Sequence, residues 1–360
     1  MPYIAFRSGD NKWQFVEAKK YQKEESLRNL IVEEPRLLPQ HELGIDPKAQ
    51  IVSLREMGLP GAGASDVILI DSDGGITIVE CKLATNPEKK RAVIGQVLDY
   101  ASSLSLMSYD ALDARCREVQ QAGLHEIMQK NVQADQWDED RFRQDVTDTL
   151  RAGRFRLVIA IDEMDPDLAR ILDYMSSQSR GTLHIFGLEM RYHKTHALEA
   201  VVPHIANPLT EGPLPSPQWD ADRFRNELQR INDEQVRTAA LDMVDFALHN
   251  DSLSWGHDQG KGSFGYRIRP GGKPISLFSY YTDGTIYLNL GNLQKKVAPE
   301  VFNQFVESVA ALRGFERAKT SSSGWPSFQT RDTLVDGSNR ERFKEAVENL
   351  KRAISNPASS

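Results

Sequence analysis

The chain has 360 residues, 40% of them apolar and 26% charged, with a formal net charge of −7. That is ordinary for a globular protein of two or three domains, and it argues against a coat of positive charge for generic nucleic-acid binding. The charge divides as 25 basic against 33 acidic residues up to position 217, a net −8, and 19 against 18 beyond it, a net +1, so neither part is a basic module. No apolar run approaches the ~20 residues of a bilayer span, and the start "MPYIAFRSGDNKW" lacks the basic and apolar regions of a signal peptide. Two cysteines, Cys81 and Cys116, cannot build a disulfide framework or a cysteine-rich zinc site. The expectation is a cytoplasmic protein with no membrane partner.

In chain order, residues 1–18 predict one or two short strands. "KEESLRNLIV", 23–32, predicts a helix with Leu27, Leu30 and Ile31 on one face, ended by Pro35. Residues 51–55 read as a strand and "GLPGAGAS" as a flexible loop. "SDVILIDSDGGITIVECK", 65–82, reads as a hairpin, with branched apolar residues at 67–70 and 76–79 around a glycine turn. A helix follows over 91–107, then a largely helical, charged stretch over 110–152. "FRLVIAID", 155–162, is too apolar to be half-exposed and reads as a buried strand. A helix from Asp165-Pro166 through Ser176 and a strand over 183–192 complete a first domain, 1–205. Four prolines mark 206–219 as a linker. The second domain, 220–356, has α+β character: a helix over about 220–248, strands over 263–290, a helix over 298–313 and a last helix, "RERFKEAVENLKRAI".

The hairpin carries the chemistry. Five acid-x-Lys triads occur in the chain, so Glu80-Cys81-Lys82 means little alone, but it is the one that ends a buried-looking strand. Residues i and i+2 of a strand share a face, so Glu80 and Lys82 point one way and Cys81 the other. Asp66 and Glu80 are each seven residues from Asp73, which sets them opposite each other in a symmetric hairpin. Two carboxylates so close repel unless a cation lies between them, and a hard divalent ion accepts carboxylate oxygens. Glu24, near the inward face of the preceding helix, is the preferred third acid, with Glu25 as the fallback. Gln96 and Tyr100 share a face of the following helix, where two polar tips among apolar neighbours need partners.

The order Glu24, Asp66, Glu80-x-Lys82, Gln96-x-x-x-Tyr100 resembles the PD-(D/E)XK nuclease superfamily, and "SDVILIDSDGGITIVECKLATNPEKKRAVIGQVLDY" is most similar to its NucS-like and RecB-type branches. Ser65 stands where the family name has proline. The resemblance covers about residues 20–190 and is specific between 65 and 100. It implies an α/β fold with a restriction-endonuclease-like mixed-sheet core flanked by helices. It also implies Mg²⁺- or Mn²⁺-dependent hydrolysis of DNA phosphodiester bonds, as an endonuclease, with RNA left open. Asp66, Glu80, the Cys81 carbonyl and Glu24 would hold metal, Lys82 would orient the attacking water, and Gln96 and Tyr100 would orient the site or touch the strand. Lys89, Lys90 and Arg91 would contact phosphates, against the plainer alternative of a solvated charge run. Repair and defence against foreign DNA both fit. Family analogy adds a homodimer, and the C-terminal domain is left for substrate, protein or signal recognition. The competing reading is a non-cleaving nucleic-acid-binding or assembly protein on the same fold.

Other signals are weaker. "GHDQGKGS", 256–263, is one residue short of a P-loop and reads as a glycine-rich turn. "GAGAS" precedes a strand and fails as a dinucleotide fingerprint. His193, His196 and His204 lack partners for zinc and read as surface histidines. The aromatics Trp255, Phe264, Tyr266, Phe278, Tyr280, Tyr281 and Tyr287 read as core of the second domain rather than as a base-stacking surface.

Overall fold

The structure is a computed structural model describing residues 3–7, 12–85, 89–132, 138–179, 183–196, 198–207, 219–250, 252–256, 262–270, 274–321 and 324–355, with backbone alone at 89–91. The chain divides into two compact units. One comprises 1–137 and 149–215, the other 138–148 and 216–360. Among the described residues no helix is long and apolar enough to cross a membrane.

The first unit is a mixed sheet flanked by helices. Its elements are β1 (Tyr3–Arg7), β2 (Trp13–Lys19), α1 (Glu24–Glu33), β3 (Ile51–Arg55), the two-residue strands β4 (Gly58–Leu59) and β5 (Gly63–Ala64), β6 (Val67–Asp71), β7 (Ile76–Lys82), α2 (Lys89–Ser105), α3 (Tyr109–Gln120), α4 (Leu124–Asn131), the end of α5 (Glu139–Ala152), whose residues up to 148 belong to the second unit, β8 (Arg156–Ile161), α6 (Pro166–Gln178), β9 (His184–Lys194) and β10 (Glu199–Ile205). The sheet runs β1-β2-β9-β8-β7-β6-β3, with β10 also on β9. β3, β6 and β7 form an antiparallel meander, whereas β7, β8 and β9 are parallel.

The central strands are buried on both faces, which is why they read as continuous apolar runs. On one face Leu27 and Ile31 of α1 pack with Val67, Val79, Cys81, Val158, Ala160, Phe186 and Leu188. A buried leucine or isoleucine of this kind is worth about 1.5–3 kcal/mol of apolar transfer. The expected flexible loop after β3 instead forms the small β4–β5 hairpin, with Gly61 and Gly63 at φ +78° and +90°. β10 was not expected from sequence; its exposed, irregular pattern gives little alternation to read.

The hairpin turn is fastened from within. Asp71 Oδ1 accepts the N–H groups of Asp73 (3.1 Å) and Gly75 (2.9 Å). Its other oxygen pairs with Arg156, whose Nε also donates to Thr77 Oγ1 at 2.8 Å. A Cβ at Gly75 would meet the Arg156 and Asp71 side-chain tips, so a larger residue there would have to displace that ion pair.

The second unit holds an antiparallel sheet, β11 (Leu253–Trp255), β12 (Ser263–Ile268), β13 (Ile275–Tyr281), β14 (Thr285–Leu288) and β15 (Ser327–Gln329), in that order. Its helices are α7 (Ala221–Leu228), α8 (Glu234–His249), α9 (Leu290–Lys296), α10 (Pro299–Ala310), α11 (Thr330–Thr333) and α12 (Gly337–Ser355). The single helix expected over 220–248 is two, because Asp233 caps a new start by accepting from Gln235 and Val236 N–H. Phe264, Tyr266, Phe278 and Tyr280 lie in the core with Phe224, Phe315 and Phe343, and Tyr281 is also buried. Residues 138–148 complete the unit: Gln144 Nε2 donates to Ser263 Oγ (3.1 Å), and that hydroxyl donates to Asp148 Oδ2 (2.6 Å). The prolines of 208–218 and the middle of "GHDQGKGS" at 257–261 lie outside the described residues. At the edges of the linker stretch, Asn207 Oδ1 accepts Gly187 N–H and Trp219 is buried, so these two residues are fixed within their units.

Candidate active site

β6 and β7 pair Val67 with Val79 and Ile68 with Ile78, so the next position outward sets Asp66 opposite Glu80. β8 lies on the other side of β7, pairing Glu80 with Ile159 and Lys82 with Ile161. The cluster therefore sits at the carboxyl end of the parallel strands, where the chain leaves the sheet.

Glu80 is the most enclosed member, with 4% of its side chain exposed. Lys82 Nζ donates to its Oε1 at 2.6 Å, while its Oε2 is buried without a hydrogen-bond partner among the described residues. Burial first, and then the charge of Asp66, push the Glu80 carboxyl up to about 7 against the opposing pull of Lys82. Burial alone would lower the Lys82 ammonium. The hydrogen bond and charge of Glu80, with Glu24 and Asp66 behind it, hold it above the ordinary lysine value.

Asp66 is placed differently. Its Oδ2 accepts the N–H of Cys81 (2.8 Å), and its Oδ1 takes Arg28 Nη1 of α1 at 2.9 Å. Arg28 also reaches Glu56 at 2.8 Å. Of the two helix acids, Glu24 turns to the site: its Oε1 accepts Leu83 N–H (3.3 Å) and its Oε2 stands 4.0 Å from Lys82 Nζ. Glu25 faces Arg55 instead, at 3.3 Å. Cys81 points into the α1-side core, where burial pushes its thiol well up and leaves it inert.

On α2, Tyr100 is buried and donates to the Ala64 carbonyl at 3.1 Å, so the phenol is held beside the start of β6. Burial, then the charges of Glu80 and Asp66, raise its pKa. Gln96 is half-buried one turn earlier on that helix. The side chains of Lys89, Lys90 and Arg91 lie outside the described residues.

Several participants went unnoticed in the sequence. Arg28, one turn after Glu24, is the cation that neutralises Asp66; its i+4 spacing puts it on the Glu24 face of α1 but does not name Asp66 as its partner. Asp162, the last residue of "FRLVIAID", accepts Ala84 N–H at 2.8 Å and holds the chain leaving β7. Tyr21, before α1, has a buried hydroxyl without a partner among the described residues. His193 corrects the reading of surface histidines: it is buried, and its Nδ1 lies 2.9 Å from the Val16 carbonyl, tying β9 to β2. His196 and His204 are exposed as expected.

The donor set can be judged against a divalent ion. The orphaned Glu80 Oε2, with the Asp66 and Glu24 charges near enough to act on that carboxyl, is the feature that fits a cation. Against it, among the described residues no three acidic, histidine or cysteine side chains converge as a ready-made metal centre. Comparison of the chain with protein-family models, curated proteins and solved structures gives no significant match.

Proposed function

We propose that the chain is a metal-dependent nuclease that hydrolyses DNA phosphodiester bonds, with Asp66, Glu80 and Lys82 at its centre. The observation that carries this reading is the buried Glu80 with one oxygen on Lys82 and the other without a partner, at the carboxyl end of a parallel strand pair. Burying a carboxylate with an unsatisfied oxygen is costly, and such cost is concentrated at functional sites. The mixed sheet, with α1 and α2 flanking the β6–β7 hairpin, supports a restriction-endonuclease-like core.

Glu80, Asp66 and Glu24 would hold a Mg²⁺ or Mn²⁺ ion, with the Cys81 carbonyl as a further oxygen. When bound, the ion supplies an activated water and polarises the phosphoryl oxygen. Lys82, held protonated by Glu80, places positive charge where the phosphate gains negative charge. Tyr100 braces the wall of the site through Ala64, and Gln96 stands one turn earlier on the same helix, where it would orient the site or touch the nucleic-acid strand. An endonuclease in repair or in defence against foreign DNA, cytoplasmic and dimeric, accords with this reading.

One observation favours a second reading, a non-cleaving nucleic-acid-binding protein. Both Asp66 oxygens already accept protein donors, Arg28 and the Cys81 N–H. Incubation of plasmid and single-stranded DNA with Mg²⁺ or Mn²⁺ separates the two. The nuclease reading expects cleavage that Glu80→Ala and Lys82→Ala each abolish. Equal cleavage by these variants, or none by wild type with any metal, rejects it.

A further inference from the structure

One arginine of α1 is shared between two acids at the edge of the site. Arg28 Nη1 lies 2.9 Å from Asp66 Oδ1 and 2.8 Å from Glu56 Oε1, so a single terminal nitrogen serves both carboxylates. An arginine settled on one carboxylate commonly gives it two parallel N–H bonds instead. The Arg28 side chain is largely enclosed, at 16% exposure, and its Nε is buried without a hydrogen-bond partner among the described residues. The guanidinium is therefore held between two acceptors rather than seated on one. Asp66 also accepts the Cys81 N–H, whereas the exposed Glu56 carboxylate has Arg28 as its one partner among the described residues.

The backbone is bent to put Glu56 there. β3 ends at Arg55, which pairs with Val67, and the Glu56 N–H donates to the Asp66 carbonyl at 3.1 Å, so the two acids stand together at the end of the β3–β6 ladder. Successive side chains of a regular strand point to opposite faces. Here both reach the same helix: Arg55 meets Glu25 at 3.3 Å and Glu56 meets Arg28, three residues further along α1. The break in alternation coincides with a φ of +48° at Glu56. Among the described residues only Glu56 and Gln121 occupy that left-handed region without being glycine. A residue with a Cβ is disfavoured there, and such strain persists where its surroundings impose it, often at functional positions.

We propose that Glu56 is a positioning residue that keeps Arg28 when Asp66 yields its Oδ1 to a divalent cation. An ion on that oxygen would otherwise leave an enclosed guanidinium without an acceptor, and an unpaired, partly buried charge is disfavoured. With Glu56 already 2.8 Å from the same Nη1, the arginine stays paired while Asp66 is released. The relation also reconciles the occupied Asp66 oxygens with an ion: only the Arg28 bond has to give way, and the bond from Cys81 N–H, which fixes the carboxylate against β7, is retained. The inference rests on the reading of Asp66 as a metal ligand and deepens it by naming the residue that governs loading of that site.

The test is a titration of the full chain with MnCl₂, the free ion being read by its electron paramagnetic resonance signal, so that cleavage does not enter the readout. Wild type is expected to bind Mn²⁺ at a site that Asp66→Asn weakens. Glu56→Ala should weaken the same site about tenfold, the effect of one hydrogen bond to a charged group, and Glu56→Gln, which keeps an acceptor oxygen, should recover part of it. In an Arg28→Met background Glu56→Ala should change Mn²⁺ binding little, because no guanidinium is left to hold. A Glu56 that acted only as negative charge near the ion, or only on the fold, would weaken binding by the same factor in both backgrounds. That result overturns the proposal, as does a Glu56→Ala protein that binds Mn²⁺ as wild type does. The two readings fail separately. Wild-type binding that Asp66→Asn weakens and Glu56→Ala does not removes the positioning role and leaves the metal site. No binding by wild type, or binding indifferent to Asp66→Asn, removes both.

Discussion

Lys82 donates to Glu80 two residues before it on β7, Nζ to Oε1 at 2.6 Å, while the second Glu80 oxygen is buried with no partner among the described residues. The lysine satisfies half of a carboxylate whose burial and acidic neighbours work against its charge. That half-satisfied state sets the first prediction, a pH dependence of the metal-free protein. The folded Glu80 titrates at about 7 against an ordinary value of 4.5. Between those values the folded state holds a proton that the unfolded chain has lost. Its contribution is therefore fully present below 4.5 and lost as pH rises through 7. Denaturant midpoints of wild type and Glu80→Gln in EDTA should converge near pH 4 and separate by pH 8. The variant should then be the more stable, by at most about 3 kcal/mol at 1.36 kcal/mol per unit. A gap that widens toward acid would contradict the assignment.

Arg28 competes with any cation for Asp66, which it meets at 2.9 Å. Arg28→Met keeps the length of the stem and removes the charge. The metal-free variant should lose about 1–3 kcal/mol, as a charged hydrogen bond is broken. Its melting temperature should rise more on adding Mn²⁺ than that of wild type. An identical Mn²⁺ shift in both proteins would show that Asp66 does not meet the ion.

The Asp71–Arg156 pair closes the opposite end of the hairpin, where it also holds Thr77. Arg156→Met leaves Asp71 charged and enclosed, which should cost about 3–5 kcal/mol. Asp71→Asn/Arg156→Met should recover part of that loss. A double-mutant cycle by chemical denaturation checks it, and additive single losses would deny the coupling.

Ser263 links β12 to residues 138–148 by accepting from Gln144 and donating to Asp148. Ser263→Ala should destabilise the second unit by about 1–3 kcal/mol, because buried polar groups lose their partner. Amide exchange should quicken over 140–148 together with β12. Protection lost at β12 alone would mean that the segment is not part of that unit.

The local chemistry of the hairpin is legible from sequence. Its apolar runs, the Asp-Gly-Gly turn and the equal spacing from Asp73 specify two buried strands in one register, because a slip of one residue would turn every side chain to the opposite face. Glu80 and Lys82 on one side of β7 with Cys81 on the other follows from strand periodicity alone. What the sequence could not supply are relations between residues distant in the chain. Arg28 as the partner of Asp66, His193 under β2, Asp162 holding Ala84, and residues 138–148 joining a sheet more than a hundred positions later all depend on how elements pack. The exposed face of β1–β2 is the clearest case. "YIAFR" and "WQFVEAK" show period-two alternation, but both of their faces carry large apolar residues, so pattern alone cannot say which is buried. Only the packed chain leaves Tyr3, Trp13 and Phe15 in solvent and turns Val16 inward, since exposure depends on what each face packs against and not on residue order.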